Sequence, residues 1–259
     1  MVSVFRYHEI SEESHRIMNP LSFEKLLVLG DLCRLGAGSR MLDLACGKGE
    51  MLCQFAERFG AVGVGIDVNL PFLADARARA VDLGVEGSVT FVEGDASKPL
   101  AVSGLFDVVS CIGATWIGGG FSGTLRMMRQ WLAPDGTLLV GEVYWQREPP
   151  QSLRDTYEEG EGFADLAGTL QRAEAGGLDL VEMVLASPDD WDRYSASQWL
   201  NVADWLTANP DDPDAPKIRE TRDTSRRRYL AEERECLGWG VFMLRAGDPA
   251  RPATPAGVT

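Results

Sequence analysis

Histidine is scarce in this chain of 259 residues, which holds only two, and its five cysteines include no C-x-x-C pair. Zinc and haem sites therefore lack ligands, and no metal is expected. Cys33, Cys46, Cys53, Cys111 and Cys236 read as free thiols in a reducing compartment, so a cytoplasmic location is expected. No segment approaches the roughly 18 apolar residues needed to span a bilayer, and MVSVFRYHEI has no apolar core of a signal peptide. Base is scarce relative to acid: 25 Lys and Arg face 39 Asp and Glu, a formal net charge of −14. Such a chain has no broad surface for phosphates, which excludes nucleic acid as the expected partner and favours a small molecule. The run Arg226 to Arg228 reads as a solvated helix face.

What is present is organised around MLDLACGKGE, residues 41–50. An apolar run from Met41 to Ala45 suits a parallel strand covered on both faces. Met51, Leu52, Phe55, Ala56 and Phe59 then recur at helical spacing, which leaves Gly47 and Gly49 in the strand-to-helix turn. A ligand at that helix start is expected. It is not a dinucleotide of the usual kind, because Leu52 stands where G-x-G-x-x-G needs its third glycine. Asp43 repels an anion there and suits a ligand carrying positive charge.

Further strands follow at 61–68, ending in Asp67, and at 88–97, running into Asp95. A carboxylate at Asp67 suits ribose hydroxyls, although a helix cap is the other reading of that residue. The fourth strand spans 105–112 and delivers Cys111 to its carboxyl end, followed by a mobile glycine loop at Gly118 to Gly120. Asn19-Pro20 reads as the cap and first turn of a helix reaching Leu35. Phe121, Leu125, Met128 and Leu132 read as one helix stripe, Pro134-Asp135-Gly136 as a turn, and GTLLVGE as the fifth strand. Helix is also expected at 70–83, 188–209 and 216–235, and strand at 178–186 and 237–246.

The pattern Asp43-x-Ala45-x-Gly47-x-Gly49, with Gly94-Asp95-Ala96 and Phe106-Asp107-Val108-Val109, resembles the class I S-adenosylmethionine-dependent methyltransferases. Ala45 departs from that pattern, which usually has glycine there. Longer strings, among them ISEESHRIMNP, CIGATWIGGGF, VEMVLASPDDWDRY and RECLGWGVF, resemble a bacterial family within that class, known mainly by fold and cofactor. The resemblance implies an α/β, Rossmann-like fold: a mostly parallel seven-stranded sheet with an antiparallel last strand, plus a helical cap. It divides the chain into an N-terminal lid and helix (1–36), a cofactor core (37–148), a helical cap insertion (149–177), the rest of the sheet with a helical insertion (178–246) and a disordered tail (247–259).

It further implies S-adenosyl-L-methionine as cofactor, contacted by Asp43, Ala45, Gly47, Gly49, Asp67, Val68, Asp95, Ala96, Cys111 and the lid residue Arg16. The expected activity is methyl transfer to a small-molecule acceptor by a monomer or homodimer, away from membranes. His15 and Glu142 are the candidate bases, and Trp116, Tyr144, Trp145, Trp191 and Tyr194 the candidate substrate walls. Two other functions stay open at this point: a cofactor-binding protein without turnover, and an NAD-dependent oxidoreductase.

Overall fold

Apolar runs that end in acidic residues become the parallel centre of the sheet. A computed structural model of the chain describes residues 4–158 and 160–247. The expectation of a disordered tail falls, beyond Gly247, outside the described residues. Strands β1 (Arg40–Leu44), β2 (Val62–Asp67), β3 (Val89–Glu93), β4 (Phe106–Ile112), β5 (Leu132–Trp145), β6 (Leu178–Leu185) and β7 (Leu237–Ala246) pair in the order 3-2-1-4-5-7-6. β7 enters between β5 and β6 antiparallel to both, and the pairings among β1 to β5 are parallel. The fold class read from the sequence is the one observed.

Helices cover both faces. Helices α2 (Phe23–Leu32), α3 (Glu50–Phe59) and α4 (Leu70–Asp82) bury Leu29, Phe55 and Leu73 against Met41 and Val108 of the sheet. On the other face α5 (Phe121–Arg129) and α7 (Leu166–Ala175) bury Phe121, Leu125, Met128 and Ala173 against Leu42, Val109 and Phe242. Each strand alternates its side chains between these two layers, as a period of two requires.

Several local expectations are corrected. Helix α2 begins not at Asn19-Pro20 but after Ser22, whose backbone is extended and whose hydroxyl accepts the Lys25 N–H at 3.3 Å. Leu132 leaves the α5 stripe and pairs with Phe106, so Pro134 to Gly136 form an irregularity within β5, where the register shifts between Phe106 and Val108. Of the glycines 118–120 the outer two are packed, since a Cβ on Gly118 would lie 2.4 Å from the Thr124 amide and one on Gly120 2.5 Å from Glu161 Cβ, while Gly119 faces open space.

The roof is also built differently. Residues 149–177 yield one short helix, α6 (Gln151–Thr156), a loop, and α7, which lies on the sheet beside β6. Thr156, Tyr157 and Phe163 of that segment line the cavity at the strand ends together with α1 (Val4–Ser11) and α8 (Pro188–Ala208), and α9 (Ala215–Arg228) packs on those two helices, where Ile10, Val202, Leu206, Ala215 and Ile218 form a separate apolar cluster. Arg6 of α1 reaches Asp212 at 2.6 Å and also pairs with Asp214. After α9 the backbone widens through a π turn (Tyr229–Glu233) into α10 (Arg234–Cys236) and β7. Of the run Arg226 to Arg228, Arg226 pairs with Asp223 on the helix surface, whereas Arg228 turns inward to the buried Glu233 and lies 5.8 Å over the Tyr157 ring, so the run is not wholly a solvated face.

Candidate active site

The carboxyl ends of β1, β2, β4 and β5 open into one cavity of 1220 Å³, roofed by the amino-terminal segment and α8. Ligands are expected at this edge of an open α/β sheet. At its β1 to β3 end the cavity is lined by Asp43, Ala45, Gly47, Asp67, Val68, Asp95 and Ala96, with Arg16 from the roof.

The turn after β1 is tightly determined. Ala45, Gly47 and Gly49 all take left-handed backbone, with φ of 63°, 53° and 67°. Holding alanine there costs about 1–2 kcal/mol, which glycine avoids. The Gly47 amide donates to Asp67 Oδ2 at 2.8 Å, and the Asn69 amide to Oδ1 at 2.8 Å, so Asp67 shapes the turn as well as facing the cavity. Asn69 in turn caps α4 by accepting the Phe72 amide at 3.0 Å. Lys48, between the two glycines, donates to the carbonyls of Glu12 and Glu13, each at 2.9 Å.

Asp43 is strongly perturbed at this end. Burial pushes its carboxyl up to about 7, the Asp67 charge adds to that, and a 2.7 Å hydrogen bond from Ser110 opposes it. Among the described residues no cation contributes to its shift. Asp95 behaves oppositely: hydrogen bonds from the Ser97 side chain and amide hold it below the usual carboxylate range.

At the β4 to β7 end the lining is aromatic and acidic: Trp116, Glu142, Tyr157, Phe163, Trp191, Tyr194 and Trp239. Glu142 accepts from the Thr115 hydroxyl and from the Val143 amide at 2.9 Å. Burial raises its carboxyl, and those two hydrogen bonds oppose the rise. Gly141 makes room beside it, since a Cβ there would lie 2.9 Å from the Trp239 ring.

Five residues expected in the site do not line it. Gly49 caps α3, and a Cβ on it would lie 2.5 Å from the Phe91 ring, so its absence of side chain serves packing. Cys111 shares the face of Val109 and is fully buried in the core; burial, then the charges of Asp43 and Glu142, push its thiol up. Tyr144 packs edge-on against Phe242, and Trp145 sits among Leu153, Tyr157 and Phe163. His15 stacks on Tyr194 with ring centres 5.0 Å apart and bonds Glu12 through Nδ1 at 2.7 Å. Its Nε2 is buried without a partner.

Sequence reasoning missed Thr115, Tyr157, Phe163, Lys48 and Asn69. Asn69 was signalled by its place before Leu70-Pro71, a helix start. Nothing local marked Tyr157 and Phe163, which a loop carries to the cavity.

The residues present fit a nucleoside with a cationic tail. Asp67 and Asp95 stand at consecutive strand ends, and the unpaired Asp43 carboxyl at the third offers a buried partner for positive charge. Fold and site thus define a Rossmann-like enzyme of a nucleoside cofactor. The family profile described as a methyltransferase domain matches residues 35–201, and the chain belongs to that family. It is 43% identical over 244 residues to the uncharacterized protein YjhP of Escherichia coli (strain K12), covering 93% of this chain and 98% of that one.

Two solved structures of S-adenosylmethionine-dependent methyltransferases in complex with S-adenosyl-L-homocysteine are similar throughout. The one from Geobacter sulfurreducens is 44% identical, with a TM-score of 0.89, over 95% of this chain and 100% of that chain. The one from Thiobacillus denitrificans is 43% identical, with a TM-score of 0.87, over 93% and 98%. The protein is an S-adenosylmethionine-dependent methyltransferase, which sets aside the NAD-dependent alternative. Among the described residues no helix is long and apolar enough to cross a membrane.

Proposed function

We propose that the protein methylates a small-molecule acceptor in the cytoplasm, as a monomer or homodimer, with the acceptor held at the aromatic end of the cavity. The observation that carries this reading is the continuity of that cavity, which joins the carboxylates of β1 to β3 to Glu142 and Trp116 in one space. S-adenosylmethionine, when bound, supplies a methyl on a sulfonium, so the leaving group is already built in. What remains for the chain is alignment, exclusion of water and, for a protonated nucleophile, a proton acceptor.

Asp43, Gly47, Asp67 and Asp95 hold the cofactor in this reading, and Glu142 takes the acceptor's proton. Trp116, Trp191 and the Tyr194 ring wall the acceptor. Tyr194 offers its ring and not its hydroxyl, which is bound to Glu12 at 2.8 Å. His15, engaged with the same carboxylate, positions Tyr194 and has no path of its own to the acceptor. The net charge of −14 makes a polyanionic acceptor a poor match.

The test is release of S-adenosylhomocysteine across a panel of metabolites. Once an acceptor is found, Glu142→Gln is expected to lower kcat by about a hundredfold. Trp116→Ala is expected to raise KM more than it lowers kcat, and both variants keep cofactor affinity. Normal turnover by both variants would place the acceptor elsewhere.

A further inference from the structure

The two ends of the cavity differ in how their buried acids are balanced. Asp43 has an evident counter-charge in the cofactor's cationic tail. Glu142 has none in hydrogen-bonding contact among the described residues: its partners, the Thr115 hydroxyl and the Val143 amide, are neutral. The cations on the cavity wall, Arg16 and Lys48, lie at the other end and also border a second hollow beside Glu50, Asp75 and Arg79. Lys48 is committed to the Glu12 and Glu13 carbonyls and to Asp75 at 3.4 Å.

Arg172 acts on Glu142 only at a distance, because its guanidinium is occupied by the carbonyls of Gly162 and Glu161 and by the Glu161 carboxylate at 3.4 Å. His8, also on the wall, packs against Phe72 of α4 with ring centres 5.3 Å apart, again at the cofactor end. The cavity that Glu142 lines also carries the rings of Tyr157, Phe163, Trp191 and Trp239 and the exposed ring of Trp116, whose faces carry negative potential.

A buried carboxylate without a counter-ion, inside aromatic walls, is an incomplete ion pair. An acceptor bearing a carboxylate or phosphate would add a second uncompensated negative charge. A phenol or alcohol would leave the first one standing. Resting on the methyltransferase reading above, we infer that the acceptor is a primary or secondary amine, bound as its ammonium with an N–H directed at Glu142 and its apolar part between the rings.

The chemistry balances. The ammonium N–H bond breaks and Glu142 gains the proton as an O–H, which leaves a neutral amine with a free electron pair. That pair forms the new N–C bond while the S–C electrons remain on sulfur, so an amine and a sulfonium become an N-methylammonium and a thioether. Glu142 returns its proton to water when the site opens.

The experiment first titrates the protein with S-adenosylhomocysteine by calorimetry, then titrates the saturated complex with benzylamine, benzyl alcohol and benzoate, followed by tryptophan fluorescence. Benzylamine is expected to bind at least about tenfold more tightly than benzyl alcohol, with benzoate weakest, in line with a charge-assisted hydrogen bond. Glu142→Gln is expected to erase the advantage of the amine while leaving the alcohol and S-adenosylhomocysteine unaffected.

Equal binding of amine and alcohol, a preference for benzoate, binding of no probe, or an amine preference that survives Glu142→Gln would each overturn the inference. The ranking in the unaltered protein decides the matter alone if the variant does not fold. Failure of the first titration removes the methyltransferase reading as well; success there with no amine preference removes only the inference.

Discussion

Replacing Gly47 and Gly49 separately by alanine distinguishes two demands that one short turn places on glycine. Both residues carry left-handed backbone, so each substitution costs about 1–2 kcal/mol of strain, less the roughly 0.4–1 kcal/mol that alanine returns by restricting the unfolded chain. At Gly47 little else is added, since the atom nearest a new Cβ is the Met18 sulfur at 2.9 Å, the end of a flexible side chain. At Gly49 a new Cβ meets the Phe91 ring at 2.5 Å and the Ala76 Cβ at 2.9 Å, both in the core. Overpacking of that kind adds about 1–3 kcal/mol. The expected losses are therefore about 1 kcal/mol at Gly47 and about 2–4 kcal/mol at Gly49. Urea unfolding of the ligand-free protein, followed by circular dichroism at constant m, reads both values. Losses that agree within about 0.5 kcal/mol would refute the packing argument. Cofactor affinity should rank the other way, falling more steeply at Gly47, which lines the cavity.

Two further outcomes follow from buried carboxylates. Because the Asp43 carboxyl rises from 3.8 to about 7 in the fold, the folded chain holds a proton that the unfolded chain has lost, and ligand-free stability falls as pH rises through that window. An ammonium group placed beside Asp43 reverses the rise, so binding of S-adenosylhomocysteine, which carries one, should release protons below about pH 7, measured by calorimetry in buffers of different ionisation heat. Absence of release would remove Asp43 as the charge partner. The second concerns Glu12, fully buried and held by His15, Tyr194 and Gln198; burial pushes its carboxyl up, but those hydrogen bonds outweigh burial and keep it low. Glu12→Gln should speed proteolytic cleavage before Asn19, and S-adenosylhomocysteine should slow cleavage of the unaltered chain. Equal rates in all three samples would count against a lid.

The parallel core was legible because burial on both faces writes itself as mostly apolar runs, as from Met41 to Leu44 with Asp43 the one polar residue near its end, and because β2 ends on Asp67. Which of two neighbouring residues faces the cavity was harder. Cys111 follows Val109 by two and shares its inward face, so alternation already directed it away from the ligand. Tyr144 shares the face of Glu142 but lies past the opening, on Phe242, a distance that no local pattern encodes. The roof was least legible. Its contacts join Glu12 to Tyr194 and Arg6 to Asp212, nearly the whole chain apart, and α1 alone reads as a polar, mixed segment. Pocket walls drawn from loops such as Tyr157 and Phe163 share that difficulty, since a loop carries no periodicity from which direction could be inferred.

Lys48 belongs by sequence to the cofactor turn and by contact to the amino-terminal segment, whose Glu12 and Glu13 carbonyls it holds. The two regions are therefore thermodynamically linked. Whatever free energy the ordered turn lends to the segment, the ordered segment returns to the turn in equal measure, because coupling between equilibria is reciprocal. If the segment opens, weakening the lysine would reduce equally the effect of its order on ligand affinity and the effect of ligand on its order, although Lys48 need touch neither the transferred methyl nor its acceptor. Selection on how quickly product leaves could act on this one side chain without altering the chemistry.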